Sequence, residues 1–131
     1  MRVMADRNIY ISTLLFPASL PAKVLLHIVD KHELVLCDHI IMEIRDVVAR
    51  KRPDLLADVE VFLAQLSYEM VITPEEPSKL ISDPKDQPIL NAAILAEVDI
   101  IVSGDKHFLQ HNIERPKPMT VADFWQLEQN Q

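Results

Sequence analysis

The chain has 131 residues, a length that suits one compact domain with one core, so we expect a single domain over residues 1–131. Hydrophobic residues make up 49% of the sequence, which excludes a disordered chain, and no apolar run approaches the roughly 20 residues that a membrane span requires. The formal net charge of −7 disfavours a general nucleic-acid binder, and the single glycine excludes the glycine-rich loops that bind nucleotide phosphates.

The first half of the chain predicts two strands and three helices. Short apolar runs are typical of buried strands, and apolar residues at helical spacing are typical of helices. Aspartates suited to the N-cap position precede two of the helical segments, and Pro53 separates these segments. In chain order we predict a strand at residues 2–5, a helix at 22–30, a strand at 34–37, a helix from Asp38 to about residue 51 and a helix from Asp54 to about residue 69.

The second half continues the alternation of strands and helices. Prolines and charged residues interrupt it once, in a segment that we expect to be a loop. In chain order we predict a strand at residues 71–73, the loop at 74–85, a helix from Asp86 to about residue 97, a strand at 99–102, a helical turn at 105–110, a short strand at 119–120 and a closing helix from Val121 to about residue 128.

Strands that alternate with helices predict an α/β fold with a mostly parallel sheet that is covered on both faces. In such a sheet, ligands bind beyond the carboxyl ends of the strands. The only cysteine, Cys37, lies in a predicted buried strand, and the first residues carry no signal-peptide pattern. These features favour a cytoplasmic protein without a membrane partner.

Four acidic residues, distant in sequence, stand where they could meet at the carboxyl end of such a sheet. Asp6 ends the first strand, Glu43 lies in the helix after the second, Asp86 begins a helix, and Asp105 follows the fourth strand. Gathered together, four carboxylates would repel one another unless a divalent cation lay among them. Mg²⁺ and Mn²⁺ prefer such oxygen ligands. The alternative is that Asp86 and Asp105 are helix N-caps and that Glu43 is a surface residue.

Several motifs of this chain resemble those of a known family. They are RVMADRNIYISTLL, LCDHIIMEIRDVVARKRP, ISDPKDQPILNAAILAEVDIIVSGDKHFL and MTVADFWQL, and they span nearly the full length. The chain resembles PIN-domain proteins of the VapC-like group, the toxins of toxin–antitoxin pairs. The resemblance implies a three-layer α/β/α sandwich with a mostly parallel central sheet, and an Mg²⁺- or Mn²⁺-dependent ribonuclease.

The resemblance also implies roles for individual residues. The acids of the family fall on Asp6, Glu43, Asp86 and Asp105, which would be both the catalytic residues and the metal ligands. Asn8 matches a polar residue that orders the site by hydrogen bonding. Ser103 matches a hydroxyl residue on the strand beside the last acid, where it would orient metal ligands and water.

The chain departs from the family pattern at two positions. Relatives usually have Thr or Ser where this chain has Arg7, and they often have an acid where it has His107. Three roles are open for Arg7: it would pair with Asp6 or another carboxylate and compete with the cation, bind a substrate phosphate, or point away from the site. His107 would weaken a second metal position, or contact RNA or a softer metal, or lie on the surface.

The leading hypothesis is an endoribonuclease that hydrolyses RNA phosphodiesters and is restrained by a cognate antitoxin protein. The resemblance also implies a homodimer. The alternative is a catalytically degenerate PIN domain that binds nucleic acid or protein, and a third option is a DNA-directed nuclease. The histidines at positions 27, 32, 39 and 111 show no spacing typical of metal ligands.

Overall fold

Five parallel strands form the sheet in the computed structural model, which describes residues 1–74, 87–104, 109 and 113–130. The strand order is β3-β2-β1-β4-β5, and every neighbouring pair is parallel. All carboxyl ends therefore lie at one end of the sheet. The strands are β1 (Arg2–Ala5), β2 (Glu33–Cys37), β3 (Glu69–Val71), β4 (Ile100–Val102) and β5 (Lys117–Met119).

Helices cover both faces of this sheet. Successive residues of the central strand β1, from Val3 to Ala5, are fully buried, as are those of β2 from Val35 to Cys37. Because successive side chains of a strand point to opposite faces, such burial requires a helical layer on each side. The three-layer α/β/α sandwich is therefore confirmed. The helices are α1 (Arg7–Leu15), α2 (Leu20–Lys31), α3 (Asp38–Lys51), α4 (Leu56–Gln65), α5 (Gln87–Leu95) and α6 (Val121–Gln129), with a 3₁₀ turn at Pro53–Leu55.

The prediction of Asp38 as the N-cap of α3 is wrong. Cys37 occupies the N-cap position and Asp38 is the first helical residue. The Asp38 carboxylate instead accepts hydrogen bonds from the backbone N–H and the hydroxyl of Thr73, which follows β3. Asp38 thus joins the ends of two neighbouring strands, a role that depends on the pairing of β2 with β3 and that local sequence does not indicate.

Several boundaries also differ from the prediction, among them those of α2, which begins at Leu20 instead of residue 22, and of β5, which spans Lys117–Met119 instead of residues 119–120. Helix α4 ends at Gln65, four residues early, and β3 begins at Glu69, two residues before the predicted strand. The outer strand β3 pairs only with β2 among the described strands, and Glu69 and Met70 are exposed. An exposed outer strand lacks the continuous apolar run that marks a buried one. Helix α1, in a segment left unassigned from sequence, buries Ile9 and Tyr10.

Some predicted elements lie outside the described residues. They include nearly all of the loop at 74–85 and of the turn at 105–110, together with Asp86, Asp105 and His107. In the described part of the chain, no single helix has the length and hydropathy to cross a membrane. Helices α1 and α2 taken together have the required length and hydropathy, but the chain bends by 111° at the break between them.

Candidate functional site

Asp6 lies at the carboxyl end of the central strand β1 and begins helix α1. Its backbone is extended, and its carboxylate Oδ1 accepts a hydrogen bond of 3.1 Å from the backbone N–H of Asn8. Its Oδ2 accepts a hydrogen bond of 2.6 Å from the Ser103 hydroxyl. Asp6 is only 7% exposed. This is an N-cap in which the carboxylate is also held from a second strand.

The pairing of β1 with β4 explains the contact between Asp6 and Ser103. Ala5 pairs with Val102, so the residues that follow them emerge side by side, although they are 97 positions apart. Ser103 is fully buried. Asn8 contacts Asp6 through its backbone, whereas its side chain is exposed. Both residues named from the family pattern thus lie beside the first acid.

Burial raises the pKa of the Asp6 carboxyl above its usual value. The Ser103 hydroxyl and the backbone N–H groups of Ile9, Asn8 and Gly104 act in the opposite direction but do not outweigh the loss of water. An ionised carboxylate in this position gains from a nearby positive charge. The environment of Asp6 is therefore suited to a bound cation.

Glu43, on helix α3, pairs with Arg7 at the start of α1. The Nη1 atom of Arg7 lies 2.6 Å from Glu43 Oε2. Of the open roles for Arg7, the structure shows pairing with a carboxylate other than Asp6. Glu43 Oε1 is buried and has no hydrogen-bond partner among the described residues. Within the described part of the chain, Glu43 thus has one oxygen bound by a guanidinium and one without a partner.

Two of the four predicted acids, Asp6 and Glu43, fall within the described residues, and the other two do not. Arg7, next to Asp6 in the chain, reaches Glu43, so the ends of β1 and the middle of α3 are close. Asp86 directly precedes α5, and Asp105 directly follows Gly104. The convergence of all four acids remains a prediction.

Sequence analysis overlooked a buried polar pair at the start of α5. Gln87 and Asn91 are 5% and 6% exposed, and Gln87 Nε2 donates a hydrogen bond of 2.9 Å to Asn91 Oδ1. Their spacing of four residues on one helix is the signal that could have revealed them. The pair lies in the first turns of α5, directly after Asp86 in the chain.

Asp6 and Glu43 suit a hard divalent cation. Carboxylate oxygens are the ligands that Mg²⁺ and Mn²⁺ prefer. Glu43 offers a buried oxygen without a partner among the described residues, and Asp6 offers a buried carboxylate that lies mostly out of water. Ser103, bonded to Asp6, would keep that carboxylate in one orientation. The residues that the structure describes therefore fit the implied metal.

The sequence matches the family model described as PIN domain over residues 2–107. The chain belongs to the PIN domain family. No curated protein matches the chain significantly. The fold is similar to that of a chain in the crystal structure of VapBC2 from Rickettsia felis bound to a DNA fragment from their promoter. The TM-score is 0.70 and the identity 14%, with 92% of this chain and 98% of that chain covered.

The family match ends before β5 and α6, yet both elements belong to the same PIN fold. β5 pairs with β4, and the backbone N–H of Ser103 donates a hydrogen bond of 2.9 Å to the carbonyl of Met119 at the end of β5. Helix α6 contacts α2. The last strand thus supports the residue that holds Asp6.

Proposed function

We propose that this PIN domain is an Mg²⁺- or Mn²⁺-dependent endoribonuclease and that residues 1–131 act as one domain. The observation that carries the proposal is the Asp6 carboxylate, 7% exposed at the carboxyl end of β1 and hydrogen-bonded by Ser103. Ligands of parallel α/β sheets bind beyond this end. In our proposal Asp6, Glu43, Asp86 and Asp105 hold the cation.

The chemistry follows from the ligands. A divalent cation, when bound, polarises a phosphoryl oxygen and lowers the pKa of a bound water. Asp6 contributes a carboxylate whose orientation is set by Ser103 Oγ and the Asn8 N–H. Glu43 contributes a second carboxylate, through which it helps to bind the cation or positions the attacking water. Phosphodiester hydrolysis is the reaction that such a group of residues supports.

Arg7 has two consecutive roles in this proposal. In the metal-free protein its guanidinium neutralises Glu43, with 2.6 Å between Nη1 and Oε2. If Glu43 bound the cation instead, the guanidinium would be available to a phosphate of the RNA, to which its planar donors are well suited. Arg7 would thereby tune the affinity for metal and contribute to binding of the substrate.

A cleavage assay tests the proposal. Purified protein is incubated with labelled single-stranded RNA and Mg²⁺ or Mn²⁺, with EDTA, and with a competing DNA oligonucleotide. We expect cleavage that EDTA abolishes and that Asp6→Asn and Asp86→Asn lose. Asp46→Asn, at an exposed position of α3, is the matched control and should cut normally. Equal cleavage by wild type and Asp6→Asn would refute the proposed site, and preferential cutting of the DNA would reassign the substrate.

The second candidate function is a degenerate PIN domain that binds nucleic acid or protein without cutting. The contact of Arg7 with Glu43 favours it, because a guanidinium there competes with a cation for one carboxylate oxygen. Calorimetry with Mn²⁺ separates the two functions. Binding that Asp6→Asn removes favours the nuclease, whereas absence of binding by wild type favours the degenerate domain.

We further propose an antitoxin partner and a homodimer. The similarity in fold to a chain of VapBC2 supports the first, since VapBC2 in that structure is bound to a DNA fragment from their promoter. A small open reading frame next to the gene, encoding a DNA-binding head and an amphipathic tail, would support it further. Co-expression with the neighbouring gene, followed by size-exclusion chromatography with light scattering, tests both. We expect one complex that contains two copies of this chain. A monomer that does not bind the product of the neighbouring gene would contradict both proposals.

A further inference from the structure

A second group of potential metal ligands lies at the other end of the sheet. His27 is in helix α2, His32 caps the end of that helix, and Glu128 is in helix α6. Their ligand atoms all lie within 4.8 Å of one another. His32 immediately precedes β2, so the group sits at the amino end of the sheet, opposite Asp6. Sequence spacing gave no sign of this group, because His27 and Glu128 lie 101 positions apart and meet only in the folded chain.

Both histidines contact the same carboxylate oxygen. Glu128 Oε1 lies 2.8 Å from His27 Nε2 and is also hydrogen-bonded to His32 Nε2. The Glu128 side chain is only 4% exposed, and its Oε2 is buried without a hydrogen-bond partner among the described residues. In the part of the chain that the structure describes, one oxygen therefore has two partners and the other has none, which is a costly arrangement for a buried carboxylate.

The surroundings hold these side chains in place. Trp125 packs edge-on against the His27 ring, and Phe124 packs edge-on against the His32 ring. The amino nitrogen of Met1 lies 3.2 Å from Nδ1, the other ring nitrogen of His32. These ring contacts and the contact at Nδ1 hold the two imidazoles in their present orientation. The His27 side chain remains 23% exposed, which leaves a route for an ion.

Glu128 keeps its charge in this environment. Burial alone would raise the pKa of its carboxyl, but hydrogen bonds from His32 and His27 outweigh burial and hold the pKa below its usual value. The carboxylate is therefore ionised at neutral pH. Imidazole nitrogens become metal ligands when the ion displaces their protons, so binding would release protons from Nε2 of the two histidines.

We propose that His27, His32 and Glu128 form a binding site for a zinc-type transition-metal ion, separate from the acidic site. Two imidazole nitrogens and one carboxylate oxygen suit Zn²⁺ and not Mg²⁺. A tetrahedral Zn²⁺ spaces its ligands about 3.3 Å apart, so Glu128 Oε1, now 2.8 Å from His27 Nε2, would retreat from that nitrogen by about half an ångström and from His32 Nε2 by more. Water takes the fourth position, and the ion joins α6 to α2.

Zinc titration of metal-stripped protein tests the site. All measurements use the Asp6→Asn background, so that the acidic site is impaired. We expect one bound equivalent of Zn²⁺ by calorimetry and no heat with Mg²⁺. His27→Gln and Glu128→Gln should weaken binding by about 100-fold or more, since even indirect partners of a ligand contribute 10- to 100-fold. His39→Gln, at a histidine outside the group, should bind as tightly as its parent.

Anomalous diffraction at the zinc edge provides a test that needs no change to the group itself. Crystals grown with Zn²⁺ should show an anomalous peak within bonding distance of His27 Nε2, His32 Nε2 and the Glu128 carboxylate. Circular dichroism melts without metal check that the variants fold, and Zn²⁺ should raise the melting temperature of the parent but not of Glu128→Gln. Absence of the peak, or equal zinc binding by parent, His27→Gln and Glu128→Gln, overturns the proposal.

Discussion

Replacing Arg7 by glutamine should tighten the binding of Mn²⁺ while destabilising the metal-free protein. The change removes a guanidinium that lies 2.6 Å from Glu43 Oε2. Glu43 is then free to bind the cation, but without metal neither of its oxygens has a charged partner among residues 1–74, 87–104, 109 and 113–130. The two effects have opposite signs, which distinguishes competition for Glu43 from a general disturbance of the fold.

The exposure of the ion pair sets the size of the effect. The Arg7 side chain is 42% exposed and that of Glu43 16% exposed, so the pair is only partly shielded from water. Pairs of this kind contribute up to about 1 kcal/mol. If Glu43 must leave Arg7 to bind the cation, metal binding in the wild type costs the free energy of the ion pair. Removing Arg7 should therefore make the binding free energy of Mn²⁺ more favourable by about 1 kcal/mol, or about fivefold in affinity. The metal-free protein should lose about the same free energy of unfolding.

Calorimetric titration with Mn²⁺ and urea unfolding in EDTA measure the two effects. Arg45→Gln is the matched control, because Arg45 pairs with Glu60 on the surface of α3 and α4 and should leave the affinity for Mn²⁺ unchanged. Unchanged Mn²⁺ affinity in Arg7→Gln would show that Arg7 does not compete with the cation. Weaker affinity would show that Arg7 supports the site, and either result refutes the reasoning.

Three further substitutions have defined outcomes. Asp6→Asn should abolish the binding of Mn²⁺ while leaving the metal-free protein at least as stable in urea, because asparagine caps a helix as well as aspartate and has no charge to bury. Ser103→Ala should lower the cleavage rate by about 10- to 100-fold, since Asp6 loses the 2.6 Å hydrogen bond that orients it; an unchanged rate would exclude that role. Asp38→Ala should cost about 1–3 kcal/mol at pH 7, measured by urea unfolding against Asp46→Ala, because Thr73 loses its acceptor. Burial would raise the pKa of the Asp38 carboxyl, but hydrogen bonds, led by that from Thr73, outweigh burial and lower it. The stabilisation is therefore present above the unfolded pKa of about 3.9 and is lost as the pH falls through the lower folded pKa. The difference in unfolding free energy between Asp38→Ala and Asp46→Ala should shrink over that range.

The central strands could be predicted because they are buried on both faces. Strands β1, β2 and β4 are continuous apolar runs, and the structure places them within one residue of the prediction. The outer strand β3 was misplaced by two residues because Glu69 and Met70 face water and give no such run. A sequence pattern reports burial, so it locates the centre of this sheet better than its margin.

Contacts between distant residues depend on a strand order that the sequence did not indicate. Asp6 and Ser103 meet because β1 pairs with β4, whereas only the family resemblance pointed to Ser103. The partner of Arg7 was left open among three roles, since it depends on how α1 packs on α3. His27 and Glu128 are 101 positions apart, and their contact depends on the packing of α6 on α2.

The most direct test of the proposed active site is anomalous diffraction from a crystal soaked in Mn²⁺. The account predicts an anomalous peak about 2.0–2.3 Å from the Asp6 carboxylate, with Glu43, Asp86 and Asp105 around it. The same soak of Asp6→Asn crystals should lose the peak. An active protein whose crystals show no peak at Asp6, or show the ion bound elsewhere, would contradict the claim that these acids form the catalytic centre.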